Sequence, residues 1–116
     1  VIGHCQSYPH HEYHAEIARR GAFIAFDKVG TLNSANPFER QRLLRLVREI
    51  LDAGLIKHLL FSHDVCFRRD LATYDGGGYD FISTKLPGIL REIGVTQEQL
   101  HQIMVDNPRR ALTGER

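Results

Sequence analysis

Three short apolar segments of this chain run into side chains that can bind a metal ion or transfer a proton. The segments are 1–3, 22–26 and 59–61, and the side chains that follow are His4, Asp27 with Lys28, and Asp64. Imidazole and carboxylate groups are ligands of divalent metal ions, which lower the pKa of bound water. The chemistry indicated is hydrolysis at a metal site built from His4 and Asp64. The alternative is that His4 caps a strand and Asp64 caps the following turn.

Each apolar segment has the composition of a buried parallel strand, and a helical pattern follows each one. The first helix is predicted from about His10 to Gly21. The second begins at Asn36-Pro37, with Asn36 as N-cap, and ends at Gly54. Strands that alternate with helices indicate parallel pairing and right-handed crossovers. The fold class is therefore α/β, and in α/β barrels the carboxyl ends of the strands carry the chemistry.

The last third of the chain predicts a long polar loop and two helices. The loop covers residues 65–80 and includes the glycine run 76–78, which is better explained as a turn than as a phosphate-binding loop. A helix from about 82 to 93 has Pro87 either in its first turns or at a break. Thr96 and Gln99 form a capping-box pair for the last helix, which is predicted to end at Asn107-Pro108.

Composition excludes several classes of partner. The 116 residues carry a net charge of +1, which favours neither nucleic acid nor a membrane surface. No apolar run approaches the ~20 residues of a membrane span, and the start lacks a signal-peptide pattern. Cys5 and Cys66 fit free thiols in a reducing compartment, so a cytoplasmic location is expected.

Four further side chains are candidates for substrate binding. Asp27 and Lys28 end the middle strand, where they either contact substrate or form a structural salt bridge. Arg68 and Arg69 lie in the long loop, where they either bind an anionic group of a substrate or remain solvated.

Four other histidines are not expected to take part in the chemistry. The group His10, His11 and His14 is predicted to lie on the surface, because no acidic motif or fourth ligand accompanies it. His63 precedes Asp64, and strand alternation predicts that its side chain points away from the barrel interior.

An ordered set of motifs resembles the C-terminal part of the phosphotriesterase family, whose members are (β/α)8 barrels of the amidohydrolase superfamily. The motifs lie at 3–5, 20–27, 60–64, 76–81 and 107–111. The resemblance covers essentially the whole chain. The glycine-rich loop and the helix after Asn36 look more like the bacterial homology proteins and the lactonase-like members than like the pesticide-degrading enzymes. Lys28 stands where those enzymes carry a histidine.

The resemblance implies a binuclear metal-dependent hydrolase. His4 matches the strand-six ligand of the more exposed metal. Asp64 matches the strand-eight ligand of the more buried metal, and this residue also acts as the base. The implied cofactors are two divalent ions, zinc in the first place, with manganese, iron or cobalt as alternatives. A metal-bridged hydroxide would attack the carbonyl of a lactone or a phosphoester-type centre in a small-molecule substrate.

The resemblance also implies that much of the barrel lies elsewhere. The family's other ligands would precede Val1, and the chain accounts for about three of the eight strands of a barrel that typically takes ~250 residues. Residues 1–116 are therefore expected to form a single partial domain, inactive until the N-terminal part completes it. A homodimer is compatible with these features. The rival hypothesis is a non-catalytic α/β binding domain, or an inactive fragment, that keeps His4 and Asp64 as remnants.

Overall fold

The computed structural model describes residues 1–33 and 37–115. Two strands, β1 (Ile24–Phe26) and β2 (Leu59–Phe61), pair in parallel with Ile24 opposite Leu59. Ile2 adds a single parallel bridge to Ile24 on the other side of β1. The three predicted apolar segments therefore lie side by side and parallel, in the order segment 1–3, β1, β2, although the strands are shorter than the apolar runs.

The described residues also form six α-helices. They are α1 (His11–Arg19), α2 (Pro37–Asp52), α3 (Phe81–Thr84), α4 (Leu86–Arg91), α5 (Gln97–His101) and α6 (Asn107–Thr113). A π-helical turn, Gln102–Asp106, joins α5 to α6. Short 3-10 turns occur at Cys5–Ser7, Val29–Asn33, Ile56–His58, Arg68–Asp70 and Ala72–Tyr74. None of the described helices is long and apolar enough to span a membrane.

The core forms where α2 packs on the sheet. The helix buries Leu43, Leu46, Val47 and Ile50, at the spacing of one helical face. Burial of each large aliphatic side chain contributes about 1.5–3 kcal/mol relative to exposure. This helix agrees with the sequence prediction, whereas the predicted N-cap at Asn36 lies outside the described residues.

Helix α1 is oriented differently from the prediction. The side chain of Tyr13, expected on the apolar face, is 44% exposed, whereas His14 is fully buried. The Nε2–H of His14 donates to the Cys5 carbonyl at 2.8 Å, and its ring meets Phe26 edge-on at 5.3 Å between centroids. The prediction that His14 lies on the surface is therefore wrong. Polarity alone does not reveal that a backbone carbonyl is available to bond a buried imidazole.

The C-terminal helices confirm one predicted cap and differ from the sequence prediction at two positions. The capping box holds, with Gln99 N donating to Thr96 Oγ1 at 3.2 Å and Thr96 N donating to Gln99 Oε1 at 2.9 Å. The helix predicted over 82–93 is broken between α3 and α4, and Pro87 lies in the first turn of α4. Of the two predicted alternatives for Pro87, a position in the first turns of one helix or a break in it, the structure shows the break.

Asn107 begins a helix, so the prediction that the last helix ends there is wrong. Its side chain is fully buried, and its amide Nδ2 donates to the carbonyls of Ile56 at 2.7 Å and Leu59 at 2.8 Å. Pro108 lies in the first turn of α6, directly after the π-helical turn. The Asn-Pro pair thus continues the helical segment and attaches it to the start of β2.

Candidate active site

The two predicted metal ligands share an unusual backbone conformation. His4 and Asp64 have φ values of 55° and 54°, and Asp75 is the only other non-glycine residue with positive φ in the part of the chain that the structure describes. A left-handed non-glycine residue costs of order 1–3 kcal/mol, and such residues cluster at functional sites. Each lies just beyond a strand-like segment, so the backbone turns sharply at both predicted ligands.

The side chain of His4 is held by Asp27. Its Nδ1 lies 2.6 Å from Asp27 Oδ1, and its backbone N–H donates to Asp27 Oδ2 at 2.8 Å. The His4 side chain is 61% exposed and that of Asp27 only 19%. A carboxylate on one ring nitrogen is the arrangement that orients a metal-binding imidazole through its other nitrogen. The contact favours the ion-pair alternative for Asp27, whose contact with substrate remains a prediction.

Gln6, which sequence reasoning missed, completes this group. Its Oε1 accepts the Asp27 backbone N–H at 3.1 Å and its Nε2 donates to Asp27 Oδ1 at 3.2 Å. Burial opposes ionisation of Asp27. Hydrogen bonds from His4 and Gln6 outweigh it and hold the pKa of this carboxyl below its ordinary value. The only signal in the sequence was a long amide placed two residues after His4.

Backbone pairing beyond the strands brings Asp27 and Asp64 to the same end of the sheet. Ser62 N donates to the Phe26 carbonyl, and Val29 N donates to the Ser62 carbonyl, both at 3.2 Å. A Cβ at Gly30 would lie 3.0 Å from the His63 carbonyl oxygen. The segment after β1 therefore packs directly on the segment that carries Asp64.

A cleft of about 390 Å³ opens beside Asp64. Its charged lining includes Lys28 and Arg69, and the glycine run 76–78 forms part of its wall. His4 and Asp27 are not among the lining residues. The structure thus brings Asp64, Lys28 and Arg69 together at one cleft, and pairs His4 with Asp27 at an adjacent position.

The loop over residues 65–80 forms one wall of the cleft and is internally bonded. Asp70 Oδ2 accepts the backbone N–H groups of Phe67 at 2.8 Å and Cys66 at 3.2 Å, which hold the pKa of Asp70 below its ordinary value. Gly78 N donates to the Asp70 carbonyl at 2.9 Å. A Cβ at Gly76 would lie 2.2 Å from the Asp70 carbonyl carbon, so only glycine fits this turn.

The two loop arginines differ in position. The guanidinium carbon of Arg69 lies 4.6 Å from the ring centroid of Phe67, at the cleft, whereas that of Arg68 lies 5.7 Å from Tyr74 and Arg68 does not line the cleft. Both contacts lie in the range of cation–π pairs.

His63 lies in the cleft wall, and the prediction that its side chain points away from the barrel interior stays a prediction. Its Nε2 accepts the Ile82 backbone N–H at 3.0 Å, next to the start of α3. Burial lowers the pKa of His63, although Asp80 partly opposes this. Strand alternation does not apply here because β2 ends at Phe61.

The described residues supply only part of a metal site. Among residues 1–33 and 37–115, no group of three His, Cys, Asp or Glu side chains could hold an ion. The exposed imidazole of His4 still has Nε2 available beyond its Asp27 contact, and the Asp64 carboxylate is also exposed. These two donors fit a metal as part of a ligand set. Both cysteines are free, Cys5 buried and Cys66 exposed.

Comparisons with known proteins agree with this geometry. The model of the phosphotriesterase family matches residues 1–112. A phosphotriesterase-related protein from Drosophila sechellia is 36% identical over 101 residues, which are 80% of this chain and 29% of the relative. The chain therefore spans about a third of the length of the curated relatives that it matches.

Two solved structures are similar along most of the chain. A lactonase from Listeria monocytogenes gives a TM-score of 0.77 at 27% identity, over 94% of this chain and 34% of that protein. A resiniferatoxin-binding protein from Rhodobacter sphaeroides gives 0.76 at 32% identity, over 90% of this chain and 30% of that protein. The chain therefore belongs to the phosphotriesterase family, and its fold is the C-terminal portion, about three β-α units, of that family's (β/α)8 barrel.

Proposed function

We propose that this chain carries part of the active site of a metal-dependent hydrolase that cleaves a small-molecule lactone or phosphoester. The observation that carries the proposal is the placement of two ligand-type side chains at one end of the sheet. His4 is oriented by Asp27, and Asp64 lies at the mouth of a cleft that contains basic groups. Membership of a hydrolase family and similarity to a lactonase support the same chemistry.

His4 and Asp64 are the residues that would hold metal. Two divalent ions, with zinc favoured over manganese, iron or cobalt, would supply Lewis-acid activation of water and of the scissile group. Imidazole nitrogen and carboxylate oxygen are suitable donors for them. The remaining ligands come from the part of the barrel that this chain does not contain.

The residues of this chain would also provide the general base, the orientation of the His4 ligand and the binding of substrate. The exposed Asp64 carboxylate accepts the proton of the attacking water as general base. Asp27 holds the His4 ring in place. Lys28 and Arg69 line the cleft, where they orient a polar or anionic part of the substrate. Arg68 lies over Tyr74 outside the cleft and is given no part in substrate binding.

We also propose that an N-terminal portion of the barrel completes the site, as part of the same polypeptide or as a second one. The relatives that match are about three times as long as the matched region. Segment 1–3 and β2 lie at the two edges of the described sheet, where further strands can pair. The 116-residue chain by itself is expected to be inactive.

The test compares the chain alone with the chain completed by the N-terminal portion. Metal content is measured together with hydrolysis of a lactone and of a phosphotriester. Metal binding and turnover are expected only in the completed barrel. Asp64→Asn removes the base and is expected to lower kcat at least about 100-fold, since general-base catalysis contributes about 10²–10⁴-fold.

Asp106→Asn provides the matched control, because it makes the same chemical change in the π-helical turn, at a position that does not line the cleft. This control variant is expected to retain full activity. A completed and folded barrel that binds no metal and hydrolyses neither substrate would refute the proposal. That result would favour the rival function, a binding domain on the same scaffold. The similarity to a resiniferatoxin-binding protein is the observation that supports this rival.

A further inference from the structure

Gln6 occupies a position that its polarity alone does not explain. The residue is only 6% exposed, and both ends of its amide bond Asp27. Because a backbone N–H can only donate, the Asp27 N–H fixes which end of the amide is oxygen. The Nε2 end must then face the carboxylate. Gln6 therefore holds the backbone and the side chain of one residue at the same time.

The Asp27 carboxylate also determines which ring nitrogen of His4 carries a proton. Oδ1 of Asp27 receives Gln6 Nε2 at 3.2 Å and His4 Nδ1 at 2.6 Å, and Oδ2 receives the His4 backbone N–H at 2.8 Å. An ionised carboxylate can only accept, so Nδ1 of His4 must carry a proton. In the neutral ring, Nε2 is then the nitrogen with a free lone pair.

We propose that Gln6 is a positioning residue that, through Asp27, keeps His4 in the Nδ1–H tautomer and leaves Nε2 as the metal-binding atom. Close packing supports this, since a Cβ at Gly3 would lie 3.0 Å from Asp27 Oδ2. The carboxylate is therefore confined by Gly3, His4 and Gln6. The assignment of Nε2 as ligand atom rests on the proposed function, whereas the tautomer does not.

The test reads the tautomer directly in the metal-free chain. Two-bond ¹H–¹⁵N correlation spectra of ¹⁵N-histidine-labelled protein at pH 8 distinguish rings protonated at Nδ1 from rings protonated at Nε2. Gln6→Met removes both amide contacts, and Gln6→Asn keeps an amide that is too short to make both. Both variants are expected to convert a substantial fraction of His4 to the Nε2–H form. Wild type is expected to be Nδ1–H.

Gln102→Met is the matched control, because Gln102 also donates to a side-chain oxygen, that of Asn107 at 2.7 Å, away from His4. It is expected to leave the His4 tautomer unchanged. In the completed barrel, Zn²⁺ affinity is expected to fall about tenfold in the Gln6 variants, the lower end of the effect of outer-shell substitutions.

Three results would overturn the inference. They are unchanged Nδ1–H in folded Gln6→Met and Gln6→Asn, unchanged Zn²⁺ affinity in both, and loss of folding in both, which would assign Gln6 to stability alone. Failure of the proposed function has a different signature. In that case the tautomer depends on Gln6 in the chain, but the completed wild-type barrel takes up no Zn²⁺.

Discussion

Replacement of Asn107 tests how the last helix is attached to the sheet. Its amide makes three short hydrogen bonds, two to the carbonyls of Ile56 and Leu59 and one from Gln102 Nε2. Each buried hydrogen bond contributes about 1 kcal/mol net. Asn107→Ala is therefore expected to lower the free energy of unfolding by about 3 kcal/mol, a large part of the ~5–15 kcal/mol of a typical domain.

Urea unfolding followed by circular dichroism measures this loss. With a slope of ~1–3 kcal/mol per molar, the midpoint is expected to fall by about 1–3 M. Gln102→Ala removes only one of the three bonds and is expected to cost about 1 kcal/mol. The double variant is expected to show a coupling energy of about 1 kcal/mol, because the two residues share that bond.

The proposed attachment by Asn107 would be refuted if Asn107→Ala lowered the free energy of unfolding no more than Gln102→Ala does. Thr113→Ala serves as a further control, since Thr113 donates to Arg109 within the same helix at an exposed position. A surface change of this kind is expected to stay within about 0.5 kcal/mol. A loss as large as that of Asn107→Ala would show that any change in α6 destabilises the chain.

Two further predictions concern the cleft loop and a buried histidine. Gly76→Ala forces a Cβ to within 2.2 Å of the backbone and is expected to lower the urea midpoint of unfolding and to disorder the loop. Its control is Gly88→Ala in α4, where a Cβ meets open space, and this change is expected to raise the free energy of unfolding by about 0.5–1 kcal/mol. Equal effects of the two variants on the midpoint would contradict the clash at Gly76. Burial, which outweighs the hydrogen bond to the Cys5 carbonyl, holds the pKa of His14 below its ordinary value. The unfolded state therefore binds the proton first, and the stability that His14 contributes above pH ~6.5 is lost as the pH falls below that value. The groups that face His14 are Cys5, Tyr8, His11 and Glu49. His14→Leu is expected to flatten the fall in urea midpoint between pH 7 and pH 5, and an unchanged slope would assign that fall to other groups.

Several elements were predictable because they depend on local patterns. The apolar runs at 24–26 and 59–61 and the single-faced helix α2 appear as predicted, since burial requires apolar side chains at the period of each element. The capping box of Thr96 and Gln99 depends only on residues three positions apart. The motifs that resemble the phosphotriesterase family were also readable, and the family match confirms them.

Other features depended on contacts between distant residues. The burial of His14 requires the Cys5 carbonyl, and that of Asn107 requires two carbonyls near β2, about fifty positions earlier. The lack of an acidic motif or fourth ligand predicted a surface position for His14, and the Asn-Pro pair predicted a helix end at Asn107. The orientation of His63 depends on where β2 ends and on α3 beyond it.

The sequence by itself determined the strand and helix order, the family, and the candidates His4 and Asp64, because these follow from residue types and their spacing. Only the tertiary structure decided that Asp27 bonds His4, that Gln6 holds Asp27, and that Asp64 shares a cleft with Lys28 and Arg69. The physical reason is that hydrogen bonds and clefts depend on distances between atoms far apart in the chain. Parallel pairing of β1 with β2, and of segment 1–3 with β1, sets those distances.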